Sequence, residues 1–257
     1  MSKLKHIILA AIALVSGALP SAAASTENVR PFLDTSRPEK LLDVGVHAGL
    51  GISTLIQNYA SAVPGCADFH LSPGLQSAFG ATVELPLRRY IAIGTGADFV
   101  ISNNSWAMTI INSEPNTVST LYCHNTYRAF EIPVYLSLRF NLGSRFVWTN
   151  ECGMYFSFGT GGRTKVTSYS ASVNQLGQQQ VARTQYSHPY YKEDTPILNG
   201  FGRSDCGLHL STGLQYRNRW SLKAVMRLGL RDVALNYGVL DIDVHNLAFS
   251  FRLGYRF

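Results

Sequence analysis

The stretch Leu247-Ala248-Phe249-Ser250-Phe251-Arg252-Leu253-Gly254-Tyr255-Arg256-Phe257 decides the fold. Its odd positions are all large and apolar, and its even positions are small or cationic. That is strict period-two alternation, the signature of a strand with two chemically different faces. Its length matches a tilted strand crossing a bilayer. It also sets an aromatic residue, Phe257, at the last position.

Seven earlier windows repeat the pattern: 42–52, 77–85, 91–101, 130–140, 146–158, 206–216 and 220–230. No charged residue falls on the apolar face of any of them. Pro133 interrupts the fourth, removes a ladder donor and predicts a bulge there. The connections alternate short and long. Residues 86–90, 141–145 and 217–219 are short; 53–76, 102–129, 159–205 and 231–246 are long. In an antiparallel meander all short turns then lie at one end and all long loops at the other. This is the asymmetry of outer-membrane barrels. The expected fold is all-β, an eight-stranded antiparallel up-and-down transmembrane β-barrel.

Alternation does not by itself say which face points outward, because a soluble barrel alternates as well. Three features favour lipid outside. The apolar face is free of charge. The glycines (Gly45, Gly49, Gly80, Gly94 and others) fall on the opposite face, where they leave room in a crowded lumen. Apolar-face aromatics gather beside the short turns: Phe140, Phe146, Trp148, Tyr216, Trp220, Tyr255 and Phe257.

The rest of the chain fits export to the bacterial envelope. Residues 1–24 have Lys3 and Lys5, an apolar run and Ala22-Ala23-Ala24, the plan of a secretory signal peptide. Residues 25–41 read as a flexible periplasmic lead-in, and 42–257 as the barrel domain. Only 15% of the chain is charged and 46% is hydrophobic. The net charge of +6 includes the two signal lysines and is too scattered to imply nucleic acid. The four cysteines have no metal-site spacing, and the sequence calls for no cofactor. Cys66 and Cys123 lie in adjacent long loops and are the preferred disulfide pair; Cys152 and Cys206 fall on the apolar face.

The inward face carries Asp43, Glu84, Asp98, Glu131, Glu151 and Asp205 from the first six strands. Against them stand Arg139, Lys223, Arg227, Arg252 and Arg256. Closure of the ring brings the last strand beside the first, so these charges are expected to pair across the lumen as an interior plug. A narrow polar path or a titrating switch at His47 and His209 is the alternative.

The chain resembles the PorT-like outer-membrane β-barrel domain family. The resemblance runs through Val44-Gly45-Val46-His47-Ala48-Gly49-Leu50, Glu131-Ile132-Pro133-Val134-Tyr135-Leu136 and Cys152-Gly153-Met154-Tyr155-Phe156. It continues in Arg227-Leu228-Gly229-Leu230 and Leu253-Gly254-Tyr255-Arg256-Phe257. It implies a Gram-negative outer-membrane barrel, with Tyr255 and Phe257 in a C-terminal signal for the barrel-assembly machinery. Some members of the family serve protein secretion.

Three functions follow as expectations. The first is a non-enzymatic barrel acting through its long external loops, on an envelope or host protein, or as part of an envelope or secretion assembly. It would be embedded in lipid and lipopolysaccharide. The second is a narrow channel through the charged lumen. The third is a lipid-modifying enzyme at the rim, for which His124, His188, His245, Asp194 and Asp241 are candidates without a recognisable motif.

Overall fold

The computed structural model describes residues 30–57, 63, 65–111, 117–173, 178–191, 200–235 and 243–257. The signal segment lies outside the described residues, as do Asp194 and Asp241. The described residues form nine strands: β1 (Asp43–Gln57), β2 (Cys66–Arg88), β3 (Ile91–Ile111), β4 (Thr117–Leu142), β5 (Phe146–Val173), β6 (Gln179–Pro189), β7 (Ser204–Tyr216), β8 (Trp220–Gly229) and β9 (Val244–Arg256). Eight of them close an antiparallel ring, with β1 on β9 and β5 on β7. β6 stays out of the ring and pairs with the upper part of β5.

The register fixes the slant of the barrel. From Ala48, the partners across β2, β3 and β4 lead to Phe158 on β5. The other way, through β9, β8 and β7, they lead to Trp148 on the same strand, ten residues from Phe158. A stagger of this size gives the strong strand tilt, about 40°, of small membrane barrels.

Lipid faces the apolar side. Leu50 is 63% exposed and Leu222 56%, while Glu84 and Asp98 are 1% and 0% exposed. The glycines make room inside as expected: a Cβ on Gly49 would stand 2.7 Å from Arg252 Cγ. Two aromatic rows edge the apolar band. Phe140 packs on Trp148, Phe146 on Tyr216 and Trp220 on Tyr255 at the short-turn end. Phe79, Phe99 and Phe130 pack in series, tilted and then edge to face, toward the other end, with Phe158 the register partner of Phe130.

Four sequence expectations need correction. The long connections are not all loops. β3 and β4 run on as a hairpin to Ile111 and Thr117, and β5 continues to Val173 before returning as β6. Pro133 carries no bulge. Its register on β5 is unbroken, and the β3 ladder merely loses partners beside it without slipping. The shifts fall instead on β2, between Cys66 and Asp68, Pro73 and Gln76, and Pro86 and Arg88, and at Arg128/Ala129, where Thr160 is the extra residue on β5.

The described part of the lead-in, residues 30–41, is held in place across the short-turn mouth. Asn141 N donates to Phe32 O (2.9 Å), Arg89 N to Ser36 O (3.2 Å) and Lys40 Nζ to Phe257 O (2.9 Å). Phe32 stacks on Phe140, with centroids 5.1 Å apart. Arg89 is within 3.2 Å of Asp34 and 2.5 Å of Glu39. Hydrogen bonds from Ser36, with Arg89 alongside, hold the Asp34 carboxyl below the usual carboxylate range.

The Cys66–Cys123 bridge does not form; all four thiols are free. Cys66 lies opposite Ile110 and Cys123 opposite Trp106, with β3 between them. Four residues along a strand is about 13 Å, beyond the span of a disulfide. Cys123 is packed among apolar side chains, and burial pushes its thiol up to about 12.

Candidate functional site: the lumen and the outer rim

Along each strand of the belt every second residue points into the lumen, so the inward charges of neighbouring strands meet as stacked clusters. At the short-turn end, Asp43 and Glu84 sit between two arginines. Arg139 lies 3.1 Å from Asp43 and also binds Glu84. Arg256 is 3.3 Å from Asp43 and 2.8 Å from Glu84. Tyr135 Oη donates to Glu84 (3.2 Å), and its ring fills the space that a side chain at Gly94 would need.

On the opposite wall Glu151 pairs with Lys223, accepts from Ser211 Oγ (2.6 Å) and lies 3.5 Å from His209 Nε2. The third cluster is the deepest. Asp98 holds Arg227, Arg252 (2.6 Å) and His47 (2.9 Å), and Arg227 reaches on to Glu131. Taking two opposite charges from water costs several kcal/mol per ion, so each must find partners once inside. The residues that sequence reading assigned to this network all come together except one. Among the described residues Asp205 forms no salt bridge and instead accepts from Tyr155 Oη (2.9 Å) and Asn246 Nδ2 (2.8 Å). Tyr135 and Ser211 belong to the same network, as does Tyr155 through its ring under the Arg227 guanidinium, and none of the three was read as a member. Their inward parity, already set by the alternation, was the available signal.

Above the clusters the lumen changes character. Ser53, Gln76, Ser102 and Tyr127 form a buried polar level, and Asn125 Nδ2 donates to Asn104 Oδ1 (2.9 Å). Beyond it lies an apolar core of Leu55, Trp106, Met108, Leu121, Val166 and Val244. Tyr190, Phe201 and Val233, from the connections after β6 and β8, insert into this core; Tyr190 stacks on Tyr127 and on Phe201. Backbone bonds hold the inserted segments: Gly202 N to Val233 O (2.7 Å) and Val233 N to Val244 O (2.9 Å). What space remains beside Tyr190, Phe201 and Asp205 is a void of about 20 Å³. A second void, of about 40 Å³, lies lower down between His47, Tyr135, His209 and Arg252.

The rim histidines do not converge. His124 Nδ1 is 2.8 Å from Ser105 Oγ on the outer face of β4. His188 and His245 donate to the carbonyls of Pro189 and Arg231. Among the described residues no three His, Cys, Asp or Glu side chains gather in a way that would hold a metal.

The closed, tilted ring with charges inside and a bare apolar belt outside is matched by one family description, "Outer membrane protein beta-barrel domain", over residues 26–235. The chain belongs to this family of outer-membrane β-barrels. It is thus an integral protein of the outer membrane. No curated protein matches it by sequence. Similar solved structures include Ail of Yersinia pestis with the heparin analogue sucrose octasulfate. That pair shares 12% identity and a TM-score of 0.33, over 85% of this chain and 100% of the other. The N-terminal β-barrel domain of OprF from Pseudomonas aeruginosa has 9% identity and a TM-score of 0.28, over 83% and 97%. The outer-membrane protease OmpT of Escherichia coli has 10% identity and a TM-score of 0.25, over 92% and 99%.

Proposed function

We infer that this barrel is a closed, non-enzymatic platform. It is exported by its N-terminal signal segment and acts through the part of its strands that stands outside the membrane. The finer resemblance to PorT-like barrels is compatible with a place in an envelope or secretion assembly. The observation that carries the reading is the double closure of the lumen: paired charges fill the belt, and an apolar core with Tyr190, Phe201 and Val233 inserted fills the space above. A barrel built for passage would spend its interior on water rather than on packing.

The external sheet of β1 to β6 has a polar outer face with Ser105, Thr109, Tyr122, Thr126 and Tyr169, a surface suited to contact with another macromolecule. Among the described residues the rim histidines hydrogen-bond to a hydroxyl or to backbone carbonyls and do not converge on one site, which lends no support to acyl chemistry there.

The test is conductance of the full chain in planar bilayers, paired with mass spectrometry of lipid A from cells with and without the protein. The expected outcome is an electrically silent protein and an unchanged lipid A profile. Sustained unitary conductance would overturn the closed-lumen reading, and a mass shift in lipid A would overturn the non-enzymatic one.

A further inference from the structure

Above the upper phenylalanine row the outer wall becomes cationic on one side. Arg128 is two residues above Phe130 on β4, about 7 Å along the strand. Thr160, the bulged residue, flips the parity of β5, and this turns Arg163 and Lys165 outward on the same wall. Arg163 is the register partner of Thr126, and Lys165 of His124. Arg128, Arg163, Lys165 and His124 are all exposed. Arg203, at the foot of β7, extends the row, with its guanidinium over the Tyr191 ring.

None of Arg128, Arg163, Lys165 and Arg203 has an ion-pair partner among the described residues, whereas every lysine and arginine inside the belt is paired. No Asp or Glu stands on the outer face of β3, β4, β5 or β6 above the phenylalanine row. A solvated strand surface ordinarily mixes both signs.

Height decides what such a patch meets. The apolar band on β4, from Phe140 up to Phe130, spans about 25 Å after tilt, a full hydrocarbon thickness for this class of barrel. The headgroup zone above it is about 5–8 Å deep on each side. Arg128 stands about 5 Å above the row, within this zone, and Arg163 and Lys165, about 10 and 15 Å above the row, can lower their charged ends toward its upper edge on their long side chains. With the short turns facing the periplasm, this zone belongs to the outer leaflet.

We propose that Arg128, Arg163 and Lys165 form a binding site for the phosphate groups of lipid A. The forked guanidinium of an arginine matches a phosphate in two-point geometry, and the lysine adds a point charge. The site grips the barrel's own lipid annulus. It lies at the lower edge of the outer sheet surface proposed above to meet a macromolecular partner, with Arg163 beside Thr126, and it stands or falls without that partner.

The test uses the full chain in phosphatidylcholine nanodiscs doped with bisphosphorylated lipid A, with the same lipid A stripped of phosphate, or with phosphatidylglycerol. Lipid retained by the protein is read by native mass spectrometry. The wild type should retain bisphosphorylated lipid A about tenfold or more over the other two lipids. The R128Q/R163Q/K165Q variant should lose that preference, and a control triple at the short turns, R145Q/R217Q/R219Q, should keep it. Equal retention of the stripped lipid or of phosphatidylglycerol by the wild type would overturn the proposal without reference to any variant. So would undiminished preference in the first triple. Binding of a soluble sulfated oligosaccharide that depends on the same three residues, with no lipid A preference, would overturn it by assigning the patch to a polyanion in solution.

Discussion

Strand β4 passes through two opposite solvent regimes without a break. From Leu121 to Ser137 its odd residues point inward and its even residues outward, one continuous alternation. In the belt the outward residues are Phe130, Ile132, Val134 and Leu136, and the inward ones include Glu131 and Tyr135. Above Arg128 the outward residues are Tyr122, His124 and Thr126, and the inward ones Leu121, Cys123 and Tyr127. The pleat fixes which way each side chain points. What lies outside the wall, lipid or water, fixes which chemistry that direction requires. The same inversion runs along β3, from Ile93 and Phe99 facing lipid to Trp106 and Met108 facing the upper core.

The sharpest way to break this contrast is to unpair the lumen. Arg227→Leu would leave Glu131 buried without its cation and Asp98 with only Arg252 and His47, and should cost about 3–5 kcal/mol, read as a lower urea midpoint for the barrel in lipid vesicles. Arg128→Leu, a cation on the outer wall of the extension, should shift the same midpoint by no more than about 0.5 kcal/mol. If the two variants unfold alike, the belt clusters do not stabilise the fold as described.

A second pair compares the two regimes on one face. Leu136→Arg places a charge in the middle of the lipid band and should cost about 2–4 kcal/mol. Tyr122→Arg keeps the same outward parity above the band and should stay within about 0.5 kcal/mol of wild type. Comparable losses would mean that the lipid boundary lies elsewhere on β4.

The smallest effect concerns the strap over the short-turn mouth. The Asp34 carboxyl is held below its ordinary value, so its contribution is full above about pH 4, the unfolded-chain value. It fades as pH falls through the lower folded value. Hydrogen exchange over residues 30–42 should therefore quicken in acid while the belt strands keep their protection. Asp34→Asn should give the quicker exchange already at neutral pH. Equal protection at both pH values, or in the variant, would remove Asp34 from the contacts that hold the strap.

The sequence was most readable where one regime acts alone. In the belt every inward and outward position followed from period two, and the inward charges could be assigned to a shared interior from ring closure. Above the belt the alternation persists but its apolar half changes sides, so Ser102 to Ala129 read as a loop although its described residues are all strand. In β2 and β5 the phase itself slips, at Pro73–Gln76 and at Thr160, and a two-residue pattern traced through either point dissolves. The strap escaped because Pro31, Pro38 and mixed charges mimic a linker, and its ordering depends on Phe32 and Arg89 finding partners far along the chain. Asp205 looked like one more member of the charge network. A phenol and an amide donate to one of its oxygens instead, and neither carries a charge to count.

The extra residue at Thr160 has a consequence for how such a chain can change over time. It lets the β5–β6 hairpin choose its own inside and outside, whatever parity the membrane imposes below. Thr160 Oγ1 donates to Arg128 O (3.2 Å) and Tyr191 Oη to the same carbonyl (3.5 Å), so the seam is stitched rather than loose. Hairpins of different length or polarity can be exchanged above that seam while the lipid-facing code beneath it stays as it is. The outer surface is free to diversify on a transmembrane base that does not.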